Sequence, residues 1–130
     1  MGDLKTMLQS KKVLIVDDEA LMRSFLSAIV KRIGFKRVTE ARDGKSALEM
    51  IDAESFDVVF CDWEMPGMDG LQLYKHLKNI EAHDDLVFIM ATGHTGAAHV
   101  KEAMENGVKY YIAKPFNESV IRKQLAKALA

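Results

Sequence analysis

The chain reads as an α/β protein, a (βα)5 doubly wound, five-stranded parallel sheet, on three grounds. Five short apolar runs, partly β-branched, recur along the 130 residues, with segments of helical periodicity between them. The runs are apolar without alternation, as strands covered on both faces are. Carboxylates follow the first and third runs, and a threonine and a lysine close the fourth and fifth, so the chemistry falls along one sheet edge.

The first strand is VLIV at 13–16, in the stretch KVLIVDDE. Leu21, Phe25, Ile29 and Ile33 then step by four toward Gly34, a helix stop. RVTEA at 37–41 is the second strand, and Ala47, Leu48 and Ile51 mark a helix opened near Asp43 and Gly44. VVFC at 58–61 is the third strand, and Leu73, Leu77 and Ile80 mark the helix that begins after Gly70. LVFIMA at 86–91 is the fourth strand; Val100, Ala103, Met104 and Val108 mark its helix, ending around Gly107. YYIA at 110–113 is the fifth, followed by a helix from an Asn117 N-cap through Val120, Ile121, Leu125 and Leu129. Right-handed crossovers cover both faces only if the strand order reverses. The common order 2-1-3-4-5 puts that reversal between strands one and three, where ligands bind at the carboxyl ends.

The length suits one domain, with residues 11–130 as the folded unit and 1–10 as an N-terminal extension in which Leu4, Met7 and Leu8 could pack as an amphipathic cap. Eighteen basic against nineteen acidic residues leave a net charge of -1, which gives no bulk signal for nucleic acid or an acidic membrane. No apolar run approaches the ~18 residues of a membrane helix. The N-terminus lacks a secretory signal, and the single Cys61 excludes an internal disulfide, so a cytoplasmic protein is expected. The loose MGxxx[ST] match at Gly2 and Thr6 is a weak acylation pattern beside a plain leader turn.

Asp17 and Asp18 end strand one and Asp62 ends strand three. Gathering them is unfavourable: a like-charged pair at ~4 Å costs about 4 kcal/mol at an effective dielectric near 20. A cation must compensate. Hard oxygen ligands without Cys or His favour Mg²⁺, which accepts further coordination from a phosphate. Thr92 and Lys114 reach the same edge, so a hydroxyl, an ammonium and a metal converge on one carboxylate. That describes a phosphoryl site with Asp62 as nucleophile and Asp17 and Asp18 on the metal.

VDDE at 16–19, DWEMPGMDG at 62–70, Thr92 and KPF at 114–116 resemble the receiver domain of bacterial two-component response regulators, over nearly the whole chain from about Lys11. Trp63 directly after the acceptor and the Met65-Pro66-Gly67-Met68 loop resemble the stand-alone chemotaxis group within it. The resemblance implies a flavodoxin-like fold. It implies Asp62 as phospho-acceptor, and Mg²⁺ held by Asp17, Asp18, Asp62 and the Glu64 carbonyl. Thr92 and Lys114 would contact the phosphoryl group, and Tyr111 would be the aromatic switch partner of Thr92. A cis Lys114-Pro115 bond is expected. Glu64 and His94 take the positions that tune dephosphorylation, with residues unlike those of the best-known chemotaxis regulators. A histidine kinase would be the donor, a phosphatase a further partner and a flagellar motor switch protein the target. That target would bind the face made by the fourth helix, fifth strand and fifth helix. The protein would be a monomeric switch more than an enzyme, catalysing its own phosphorylation and dephosphorylation.

Two alternatives use similar residues. One is a phosphorelay shuttle or connector without a motor target. The other is a Mg²⁺-dependent phosphohydrolase of the haloacid dehalogenase type, against which the chain order speaks, since the acidic pair comes first here. Trp63 reads as an amphipathic surface residue or a reporter beside Asp62, and Cys61 as a small core residue. His76, His83 and His99 lack metal-ligand spacing and read as surface or capping residues.

Overall fold

The structure, a computed structural model, describes residues 3–130. Gly2, the candidate acylation position, lies outside the described residues. The element order is α1 (Leu4–Leu8), β1 (Lys12–Val16), α2 (Ala20–Ile33), β2 (Arg37–Ala41), α3 (Gly44–Ala53), β3 (Val58–Cys61), α4 (Gly70–Lys78), a 3₁₀ turn (Glu81–His83), β4 (Val87–Thr92), α5 (Ala97–Glu105), β5 (Tyr110–Ala113) and α6 (Glu118–Ala128). All strands are parallel, in the order β2-β1-β3-β4-β5, so the expected reversal between β1 and β3 is present.

Two cores flank the sheet, as the period-two alternation of strand side chains requires. Leu14 and Val16 of β1 join Val59, Cys61, Met90, Ile51 and Leu73 under α3, α4 and α5. Val13 and Ile15 join Phe60, Ile89, Ile29, Val30, Ile121 and Leu125 under α2 and α6. β2 lies at the edge and is buried fully only at Ala41, while Arg37 and Glu40 face solvent.

Local chemistry sets the helix starts. Asp43, Asp69 and Asn117 each accept a backbone N–H of the first turn, at Ser46, Gln72 and Val120, and Gln72 returns a bond to the Asp69 N–H as a capping box. The extension is part of the fold: α1 is capped by Asp3, Leu8 is fully buried against the α2 side, and Leu4 packs there too, though Met7 is exposed. Gly34 makes room for it. At φ +150°, a Cβ on Gly34 would lie 2.9 Å from the Cα and carbonyl oxygen of Lys5.

The step-by-four stripe on α2 is corrected. Leu21 is 87% and Phe25 48% exposed, and the buried face is Leu26, Ile29, Val30 and Ile33. At 3.6 residues per turn, strict steps of four drift ~40° each, so residues early in the series rotate off the face that Ile33 occupies. Met104 and Val120, also counted as apolar helix markers, are exposed too, each one residue and so ~100° around the helix from a buried neighbour, Ala103 and Ile121. The Lys114-Pro115 peptide is cis. Among the described residues, no helix is long and apolar enough to cross a membrane.

Candidate functional site

The register of the central strands builds the site. Val16 pairs with Cys61, so the next residues, Asp17 and Asp62, leave the sheet side by side; their N–H groups donate to Ala41 and Val16 carbonyls. Both carboxylates are buried, and Asp18 beside them is exposed. Ligand atoms of Asp17, Asp18 and Asp62 all lie within 4.8 Å of one another.

One ammonium holds this group together. Lys114, just past β5 and tied by its N–H to the Thr92 carbonyl, donates to Asp17 Oδ2 at 2.7 Å and to Asp62 Oδ2 at 2.9 Å. Burial alone would lower the lysine's pKa, but the hydrogen bonds and charges of the two aspartates outweigh it and hold the pKa above 10.5. Asp17 Oδ1 accepts from the Glu19 N–H. Asp62 Oδ1 is buried with no hydrogen-bond partner among the described residues.

That atom is the test of whether a metal suits the site. The Lys114 ammonium meets two of the three clustered carboxylates, Asp17 and Asp62, and a buried, unpaired anionic oxygen is costly unless a further positive group meets it. The donors are all hard oxygens, so the residues fit a divalent cation such as Mg²⁺.

Two neighbouring loops border Asp62. Gly70, at the start of α4, donates to the Trp63 carbonyl at 2.8 Å and so folds the 62–70 loop back on itself. A cleft of about 420 Å³ beside Asp18 is lined by Trp63, Glu64, Pro66, Asp69 and His94. Thr92 is buried, and its Oγ1 accepts from the His94 N–H at 3.2 Å. Glu64 lies two residues past Asp62, and its side chain, 70% exposed, meets His94 Nε2 at 2.8 Å. Tyr110 and Tyr111 face opposite cores, and the half-buried Tyr111 donates from its hydroxyl to the His94 carbonyl. Cys61 is fully buried, and that burial with the nearby Asp62 and Asp17 charges drives its thiol pKa well up.

The structure therefore brings Asp17, Asp18, Asp62, Thr92, Lys114, Glu64, His94 and Tyr111 to one edge. Trp63 is buried, not a surface residue. Two further neighbours join the site: Arg23, which the sequence reading passes over, and His99, which it reads as a surface or capping residue. Arg23 donates to the Asp17 carbonyl at 2.7 Å and meets Glu40 at 3.2 Å; its place on α2, six residues past Asp17, was the available signal. His99 stacks on His94 with ring centroids 4.2 Å apart, a contact made by the turn at 93–96 and not by any spacing rule.

The chain belongs to the response regulator receiver domain family, whose model matches residues 13–126. Within it, the chain is similar to Chemotaxis protein CheY-3 of Vibrio cholerae, 37% identical over 119 residues covering 92% of each chain. It is also similar to Chemotaxis protein CheY of Pseudomonas aeruginosa, 35% identical over 116 residues, covering 89% of this chain and 94% of that one. The solved structure of Vibrio cholerae chemotaxis protein CheY4 superposes with a TM-score of 0.83 at 30% identity, covering 91% of this chain and 98% of that one. Family membership sets aside the haloacid dehalogenase alternative.

Proposed function

We propose that this chain is a phospho-accepting switch of a two-component system, acting in chemotaxis, with Asp62 as the acceptor. The observation that carries the proposal is a buried Asp62 with one oxygen on Lys114 and the other unpaired, beside Asp17 and Asp18. The names of its relatives in Vibrio cholerae and Pseudomonas aeruginosa favour chemotaxis over a phosphorelay connector.

In the proposed reaction a carboxylate oxygen of Asp62 attacks the phosphorus of a histidine kinase's phosphohistidine. The P–O bond forms as the P–N bond breaks, and the imidazole leaves with the electron pair and takes a proton. Asp17, Asp18, Asp62 and the Glu64 carbonyl would hold Mg²⁺, which when bound offsets charge on the phosphoryl oxygens. Lys114 and Thr92 supply an ammonium and a hydroxyl to those oxygens, already oriented at the strand ends. Lys114 must then trade part of its contact with Asp17 and Asp62 for the new dianion. Because the Lys114 N–H is bonded to Thr92, and Thr92 and Tyr111 both bond His94, movement at the acceptor is transmitted to the α5–β5–α6 face. That face, with Met104 and Val120 exposed, would present the phosphorylated form to a flagellar motor switch protein.

The test follows Trp63 fluorescence as Mg²⁺ and then acetyl phosphate are added to wild type and Asp62→Asn, with mass spectrometry for the phosphoryl group. Expected are two successive changes in wild type and no donor step in the variant. A wild type that takes up no phosphoryl group in saturating Mg²⁺ overturns the proposal. The chemotaxis role is tested by binding to a flagellar motor switch protein, expected to tighten on phosphorylation; equal affinity for both forms would point to the phosphorelay alternative.

A further inference from the structure

The side chains of Glu64, His94 and His99 form a cluster over the loop after Asp62 that the chemistry just described does not use. β3 and β4 are neighbours, so the loops after Cys61 and Thr92 leave the sheet side by side. Glu64 on one loop and His94 on the other meet at 2.8 Å, linking the two loops at the border of the cleft. An exposed pair of this kind holds weakly by itself. Here the His94 ring is also fixed from two further directions. His99, in the first turn of α5, stacks on it at 4.2 Å with an interplanar angle of 13°, and the Trp63 edge meets it at 5.5 Å and His99 at 5.7 Å.

We infer that His99 is a positioning residue. By its stack on His94 it holds the His94–Glu64 pair as a bar between the two loops, and the bar slows in-line attack on the phosphoryl group. The inference rests on the proposal that Asp62 is the phospho-acceptor.

The geometry of displacement gives the reason. An acyl phosphate on Asp62 projects from the buried carboxylate toward the open side of the site, and the attacking oxygen enters opposite the bond that breaks. Water must therefore come from outside, past the loops. Its oxygen forms a P–O bond as the bond from phosphorus to Asp62 breaks; Asp62 leaves as carboxylate and the product is dihydrogen phosphate carrying both water protons. The leaving group of a phosphodonor occupies the same line. A looser bar therefore speeds both uptake and loss, whereas damage to the site would slow uptake and weaken metal binding.

His99→Ala, His99→Phe, Glu64→Ala and the double variant His99→Ala/Glu64→Ala are compared as full chains. The measurements are uptake from acetyl phosphate, first-order loss of the acyl phosphate after donor removal, and Mg²⁺ affinity from Trp63 fluorescence. His99→Ala is expected to accelerate uptake and loss roughly three- to tenfold, the scale of one lost aromatic contact, with Mg²⁺ affinity within about twofold of wild type. His99→Phe, which keeps a stacking face, is expected to restore both rates. Glu64→Ala, compared in its uptake and loss rates alone, is expected to match the rates of His99→Ala, and the double variant to add nothing further to them, because both remove one bar. Loss at the wild-type rate or slower in His99→Ala, or a His99→Phe variant as fast as His99→Ala, overturns the inference while leaving phosphorylation of Asp62 intact. A wild type that takes up no phosphoryl group overturns the proposed function and this inference with it.

Discussion

Gly70→Ala is a small change with a large expected effect on Asp62, the proposed acceptor. A Cβ at position 70 would sit 2.2 Å from the Asp62 carbonyl oxygen and 3.0 Å from both the Asp62 carbonyl carbon and Trp63 Cα. All three neighbours are backbone, so no side chain can swing aside. The separation must open by about 1 Å before the contact becomes an ordinary one. If α4 gives way, the Asp69–Gln72 capping box and the Gly70–Trp63 hydrogen bond are strained, and the stability loss should be about 1–3 kcal/mol, as for other overpacked positions. If instead Asp62 moves, its carboxylate leaves the geometry shared with Lys114 and Asp17, and a shift near 1 Å lowers a positioned reaction by about 100-fold. Phosphoryl uptake from acetyl phosphate and urea unfolding, measured on the same sample, separate the two responses. A variant with both wild-type uptake and a wild-type urea midpoint would refute the idea that this close approach holds the acceptor in place.

Other expectations concern the same residues and their surroundings. Lys114→Met removes the ammonium bonded to the carboxylates of both Asp17 and Asp62; Mg²⁺ titration should show affinity raised several-fold, as a competing positive charge is gone, while phosphoryl uptake falls. Because the folded-state pKa of Lys114 is raised above 10.5, its contribution to stability is complete below that value and is lost as pH rises through the higher one; wild type should lose more stability than Lys114→Met as pH rises above 10.5 in urea melts. Cys61 should resist thiol reagents in the folded protein, with labelling slowed by a factor on the order of 1000 or more against the urea-unfolded chain. Leu8→Ala should lower stability by about 2–4 kcal/mol in a urea titration, the cost of emptying a fully buried leucine site.

The legible parts of this protein were those set by local pattern. Apolar runs marked every strand, and Asp43 and Asn117 marked helix starts that their side chains do cap. The site was legible because strand ends in a parallel sheet share one edge: once β1, β3, β4 and β5 were placed, Asp17, Asp18, Asp62, Thr92 and Lys114 had nowhere else to gather. The inward face of α2 was misread because a step of four is not the helical period, and the first apolar residues, Leu21 and Phe25, turn to solvent. The His94–His99 stack was beyond reach for a different reason. It depends on the path of the 93–96 turn, and no periodicity encodes how two loops approach each other. Trp63 illustrates the same limit, since its burial comes from the loop that Gly70 closes and not from a strand or helix stripe.

The contact between Lys5 and Gly34 reaches beyond stability. With a Cβ at 34 lying 2.9 Å from the Lys5 backbone, α1 can occupy its seat only over a glycine, and the φ of +150° at that position favours the same residue. The two features are expected to be inherited as one unit: a relative that changes residue 34 would lose the seat, and a relative without α1 would be released from the requirement. Sequences compared across the family should therefore gain and lose the N-terminal helix and Gly34 together, even as the acidic cluster at the opposite end of the sheet stays the same.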